Sequence, residues 1–215
     1  MEHRKAVIFD MDGVIVDSEP HHKQAFYDTI REIGYEGLGG LRFEDYVGRS
    51  DYELWVDFVA KNQPPQTMEE LLARKRQRII EVMREVQPIF EGLPDLVAKL
   101  AEQCPLAIAS GSEHVVIEAV LALKGLRRFF SVVVSSADVQ RGKPAPDIFL
   151  RAAEMLGVEP RCCWVIEDSK PGVLAALAAG MKVVAITNTH PAHELREATR
   201  VVRNYEEIER LLLAA

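Results

Sequence analysis

Short apolar runs recur along the chain, at residues 6–9, 106–109, 132–134, 163–166 and 183–186, with a weaker one at 201–202. Each run is continuous rather than alternating, which suits strands buried on both faces of a parallel sheet. Between them the apolar positions change to helical spacing. Leu93, Leu96, Val97 and Leu100 share one face; so do Val116, Val120 and Leu123. Ile148, Ala152, Met155 and Leu156 form another such face, as do Val173, Leu174 and Leu177. Strand and helix alternate, so the expected fold class is α/β, a doubly wound parallel sheet.

One segment breaks the alternation. Residues 17–88 hold no convincing strand, and helical patterns at about 21–33, 51–61 and 68–85 fill the segment instead. A crossover between parallel strands needs only a dozen or so residues. The excess reads as an inserted all-helical domain over 17–88. The catalytic core is then expected at 1–16 and 89–215, with hinges at Ser18-Glu19-Pro20 and Gln87-Pro88.

Composition narrows the classes. The chain carries 26 Lys+Arg against 33 Asp+Glu, a formal net charge of −7, with no basic stripe. No nucleic-acid partner is expected. No apolar run is long enough for a membrane span, and the run at 6–9 is too short for a signal peptide. Cys104, Cys162 and Cys163 are odd in number and form no C-x-x-C pair, which argues against a disulfide framework and for a reducing cytoplasm. The histidines show no H-x-x-x-H spacing, so zinc is not expected. A monomer is expected.

Candidate chemistry collects just after the strands. The first ends in Asp10-Met11-Asp12-Gly13, the second in Ser110-Gly111-Ser112. Gly142-Lys143-Pro144 follows the third, and Glu167-Asp168 closes the fourth. Each has a plain structural reading when taken alone. Asp12-Gly13 suits a turn. Ser112 suits a helix N-cap. Lys143 suits a solvated proline turn, and Glu167 or Asp168 a helix start. Together they lie on one edge of one sheet, the edge where open α/β folds bind ligands. Acids from strands one and four can share a divalent cation. Ser110 and Lys143 can hold an anion facing it. An oxygen-only donor set suits Mg²⁺, and such a site is built for a phosphoryl group.

With these residues the sequence resembles the haloacid dehalogenase-like phosphatase superfamily. Within it, the chain is similar to the branch holding β-phosphoglucomutase and sugar-phosphate phosphatases. Asp10-x-Asp12-Gly13-Val14, Ser110, Lys143-Pro144 and Glu167-Asp168 with Gly172 match the four family motifs in order, and the helical insert falls where this branch carries its cap. The resemblance implies that Asp10 is the nucleophile forming an aspartyl-phosphate and Asp12 the general acid and base. It implies Mg²⁺ on Asp10, the Asp12 carbonyl, Glu167 and Asp168. Gly13, Ser110, Gly111 and Lys143 would hold the phosphoryl group. His22, Arg49 and Lys75 are the candidate substrate residues of the cap.

Departures from the mutases decide the activity expected. Where mutases present an arginine after a Gly-x-Ser, this chain reads Gly48-Arg49-Ser50-Asp51. Val47, Glu113 and His114 stand where mutases use lysine, lysine and asparagine. A second phosphate would lose several charge-assisted donors. The expectation is therefore a phosphatase of a small sugar or polyol monophosphate. The alternatives are a phosphosugar mutase and, less favoured, a receiver-like domain phosphorylated on Asp without turnover.

Overall fold

In the computed structural model, which describes residues 5–36, 39–42, 45 and 51–213, the apolar runs become six strands of one sheet. They are β1 (Ala6–Phe9), β2 (Leu106–Ala109), β3 (Phe130–Val134), β4 (Cys163–Glu167), β5 (Lys182–Ile186) and β6 (Arg200–Val202). All pairings are parallel, in the order β3-β2-β1-β4-β5-β6. The chain winds outward from β1 in both directions, so the switch point lies between β1 and β4. Phe9 is in register with Ile166. The residues that follow, Asp10 and Glu167, therefore emerge side by side at the carboxyl edge.

Burial explains the continuous apolar runs. Ile8, Ala107, Val134, Val165 and Val183 join one core cluster with residues of two helices, α6 and α7 as numbered below. Their alternates Val7, Phe9, Ile108, Ile166 and Val184 are equally buried, so the sheet is covered on both faces.

The chain divides into two compact units, residues 18–87 and the remainder. The first contains α1 (Glu19–Glu32), α2 (Asp51–Asn62) and α3 (Met68–Val86). Phe26, Ile30, Leu54, Trp55, Phe58 and Leu71 form its core, with the Phe26 and Trp55 rings 4.3 Å apart. Thr67 and Glu70 cap α3 reciprocally, each side chain taking the other's backbone N–H, which satisfies two donors at the helix start.

The second unit holds the sheet with α4 (Leu93–Gln103), α5 (His114–Ala122), α6 (Asp147–Leu156), α7 (Lys170–Ala178) and α8 (Tyr205–Leu213). Two expected faces are rotated. Met155 of α6 is exposed, and Phe149 and Ala153 join Ile148 and Ala152 inside. Leu174 and Leu177 of α7 face solvent, while Val173, Ala175 and Ala176 are buried. Gly172 draws the start of α7 close to Glu167.

Candidate active site

The turn after β1 sets the first two acids. The Asp10 N–H donates to the Ile166 carbonyl at 3.0 Å, tying the end of β1 to β4. Beyond it the Met11 carbonyl accepts from Val14, Ile15 and Val16, and the Gly13 N–H donates back to Val16 at 2.9 Å. Gly13 has φ +74°, and a Cβ there would sit 1.9 Å from Asp168 Oδ2. Only glycine allows both the left-handed turn and the approach of Asp168. The Gly13 N–H, expected to hold a phosphoryl oxygen, donates within the turn in this structure.

Asp10, Glu167 and Asp168 come together, with one carboxylate oxygen of each within 4.8 Å of the other two. All three are buried. Lys143 donates to Asp10 Oδ1 at 2.6 Å and to Glu167 Oε1 at 2.7 Å. Glu167 Oε2 accepts from the N–H groups of Asp168 and Ser169 and from the Ser169 hydroxyl, at 2.8–2.9 Å. Both oxygens of Glu167 are thus committed to protein donors. Its role in the geometry is to orient Lys143 and the start of α7. Thr189 donates to Asp168 Oδ2. Nothing in the strand-end motifs marked Thr189; its place three residues past the end of β5, at the same sheet edge, was the available signal.

Three carboxylates share one lysine, and their titration reflects it. Burial, and then the neighbouring acids, raise Asp10 well above the ordinary carboxylate range despite Lys143. Burial and Glu167 push Asp168 up to about 7. Burial opposes the charge on Lys143, but Asp10 and Glu167 outweigh it and hold the pKa above the usual lysine range. Such a cluster could hold a cation, and its donors are all oxygen. Asp10 and Asp168 fit a hard divalent ion.

Asp12 stands apart from this cluster. Its Oδ2 accepts from the Ser112 hydroxyl at 3.0 Å and lies 3.4 Å from the Ser110 hydroxyl. Ser110 is fully buried at the end of β2, and its Oγ accepts from the Ser112 N–H. Ser112 is therefore not the expected N-cap. Glu113 occupies the cap position of α5 with no side-chain capping hydrogen bond, and the Ser112 hydroxyl is engaged by Asp12. Exposed Gly111 lies between the two serines, just before α5.

In the helical unit, Lys75 Nζ lies 2.5 Å from His22 Nδ1, and Lys75 is buried rather than solvated. Arg49 lies outside the described residues.

The comparisons with known proteins agree with this geometry. The family model for haloacid dehalogenase-like hydrolases matches residues 4–180. The fructose-1-phosphate phosphatase YqaB of Escherichia coli K12 is 34% identical over 191 residues, covering 86% of this chain and 97% of that protein. Hexitol phosphatase B of the same organism is 33% identical over 201 residues, covering 92% and 88%. Among solved structures, a putative β-phosphoglucomutase from Thermotoga maritima superposes with a TM-score of 0.81 at 27% identity, covering 98% of this chain and 99% of that one. By the extent of the family match and the identity to these relatives, the chain belongs to the haloacid dehalogenase-like hydrolases.

Proposed function

We propose that the protein is a Mg²⁺-dependent cytoplasmic phosphatase that hydrolyses a small sugar or polyol monophosphate through an aspartyl-phosphate on Asp10. The observation that carries this reading is the pairing of two unlike acids at one sheet edge. Asp10 is buried against Lys143 and two further carboxylates, while Asp12 sits nearby on serine hydroxyls. Relatives named as fructose-1-phosphate and hexitol phosphatases support the substrate class.

The chemistry follows from the two environments. A carboxylate oxygen of Asp10 attacks phosphorus, and the bond to the ester oxygen breaks. Asp12 gives its proton to that leaving oxygen. In the second half, Asp12 takes a proton from water, the water oxygen attacks phosphorus, and Asp10 is released with inorganic phosphate. Lys143, the Ser110 hydroxyl and the Gly111 N–H hold the phosphoryl oxygens as charge redistributes. Asp10, Asp168 and the Asp12 carbonyl, with Glu167 beside them, would hold Mg²⁺, which would neutralise charge and keep Asp10 ionised. We assign residues 18–87 as the substrate-selecting cap, with His22 and Lys75 as its polar contacts.

The test is phosphate release from 4-nitrophenyl phosphate and from a panel of sugar and polyol phosphates, with and without Mg²⁺. Turnover should require the metal and vanish in Asp10→Asn. Full activity in chelator, or normal turnover by that variant, would refute the mechanism. The panel includes β-glucose 1-phosphate with catalytic 1,6-bisphosphate; isomerisation faster than phosphate release would establish a mutase instead. A stable phospho-aspartate without turnover would establish a receiver-like domain.

A further inference from the structure

The turn that carries Asp12 is held from outside by two side chains from the far end of the sequence. Gly13 and Val14 each leave a carbonyl that the turn itself does not use. Asn188 Nδ2, just past β5, donates to the Gly13 carbonyl at 2.8 Å. The Tyr205 hydroxyl, at the first residue of α8, donates to the Val14 carbonyl at 2.7 Å. The two side chains are also joined, with Asn188 Nδ2 3.0 Å from the Tyr205 oxygen.

Proton counting fixes the direction of every bond. A carbonyl only accepts, so the single phenolic proton goes to Val14. The Tyr205 oxygen must then accept from Asn188. The Asn188 atom facing both Gly13 O and Tyr205 is therefore the amide nitrogen, and its two protons serve two acceptors. The network has one arrangement and no slack. The Tyr205 ring is fixed in turn. It is buried, packs on Phe90 with centroids 6.2 Å apart, and lies where a Cβ on Gly92 would be in contact at 3.8 Å. Thr189, next to Asn188, holds Asp168. One short segment thus anchors both the turn and a carboxylate of the cluster.

We infer that Tyr205, with Asn188 as its partner, is a positioning residue that holds the Asp12-Gly13-Val14 turn so that the Asp12 carboxyl stays aligned with the leaving oxygen. The Tyr205 hydroxyl bonds to the Val14 carbonyl and Asn188 rather than to the acids, so it acts through the turn. This role rests on the phosphatase reading above, through the acid function of Asp12. The chemical consequence is selective. Alignment of a general acid matters most when the leaving group is a poor one, an alkoxide, and least when it departs without help.

The experiment compares Tyr205→Phe and Asn188→Ala with wild type on two substrates, glycerol phosphate and 4-nitrophenyl phosphate. Tyr205→Phe keeps the ring and removes only the hydroxyl. The expected result is a kcat/KM about tenfold or more lower on the alkyl phosphate and under threefold lower on the aryl phosphate, because kcat/KM reports the leaving-group step whereas the water step on Asp10 is common to both substrates. Asn188→Ala should give the same asymmetry, and the double variant less than the product of the two effects. Equal losses of kcat/KM on both substrates, or unchanged kcat/KM on the alkyl phosphate, would overturn the proposal. A second readout needs no activity: amide exchange across residues 11–16 should be faster in Tyr205→Phe than in wild type, with exchange in β1 and β4 unchanged. Unaltered exchange in the turn would overturn the anchoring whatever the enzyme hydrolyses. An inactive wild type with faster exchange in the variant would refute the phosphatase reading and leave the anchor standing.

Discussion

Gly172→Ala sets two general effects against each other at the start of α7. Alanine in place of a helical glycine ordinarily adds about 1 kcal/mol of stability. Gly172 carries no left-handed backbone, so no strain opposes the change. The local geometry predicts the reverse. A Cβ at this position would lie 1.6 Å from Glu167 Oε1, 1.9 Å from its Cδ and 2.4 Å from Oε2. A carboxylate at the end of a side chain can swing away, so the cost is not the clash. The cost is what the carboxylate leaves behind. Glu167 is fully buried and accepts from Lys143, from the N–H groups of Asp168 and Ser169, and from the Ser169 hydroxyl. Each such bond to a buried charge contributes about 1.5–3 kcal/mol. Losing two of them costs about 3–6 kcal/mol, and the helix gain returns only about 1. The net loss of about 2–5 kcal/mol is a large fraction of a typical folding free energy. In urea it should lower the unfolding midpoint of the sheet unit by roughly 1–2 M, from the usual dependence on denaturant. Lys143 would lose one of its two anchors, so turnover should fall about a hundredfold as the phosphoryl contacts loosen. Far-ultraviolet circular dichroism through a urea titration and the aryl phosphate assay check both. A midpoint equal to or above wild type, with unchanged kcat, would show that Glu167 has another satisfied position and that Gly172 does not space the site.

The other outcomes concern the acids. Asp12→Asn should lower kcat by at least about a hundredfold while phosphate, assayed as an inhibitor, binds within a few fold of wild type. Ser112→Ala should shift the acid limb of the pH–rate profile, since it removes a hydroxyl that stabilises the ionised form of Asp12; an identical profile would place Ser112 outside the acid's environment. The metal-free cluster holds protons, with Asp168 at about 7 and Asp10 raised. Raised carboxylates stabilise the fold below their unfolded values and lose that contribution as pH rises through the folded ones. A cation replaces those protons. The thermal shift produced by Mg²⁺ should therefore be larger at pH 8 than at pH 6, and a shift independent of pH would remove the cluster as the binding site.

The strands were the most legible part of the chain. A run such as Ala6–Phe9 has no polar residue to place on a solvent face, and its burial follows directly. The strand-end motifs were legible because they need only chain order and a common sheet edge. Contacts that close through space were not. Ser112 satisfies every local rule for an N-cap, yet its hydroxyl is taken by Asp12, whose position is set by β1 almost a hundred residues earlier. Leu174 and Leu177 share a face with Val173 by spacing, yet only Val173 is buried. Tyr205 and Asn188 carry no motif. Their function depends on which carbonyls a turn leaves over, and no periodicity encodes that.

The acidity of the chain acquires a specific meaning at this edge. Two unit charges about 5 Å apart in an environment of intermediate dielectric repel by about 3 kcal/mol, so three ionised carboxylates carry about 10 kcal/mol of mutual repulsion. Lys143 touches two of the three, at 2.6 and 2.7 Å, and offsets most of the repulsion involving Asp10 and Glu167. Asp168 receives a hydroxyl from Thr189 but no direct cation contact, and its pKa climbs to about 7. Asp10 too is held well above the ordinary carboxylate range despite Lys143, so the uncompensated charge falls on the two acids proposed to hold the metal. A divalent ion there brings the cluster of three acids and one lysine to neutrality. On the proposed function, a phosphate dianion would then enter without opposing the field that ionised Asp10, Glu167 and Asp168 create. Cation binding would condition the site for its anion, so that an acidic protein could bind a phosphate ester through the acids that would otherwise repel it.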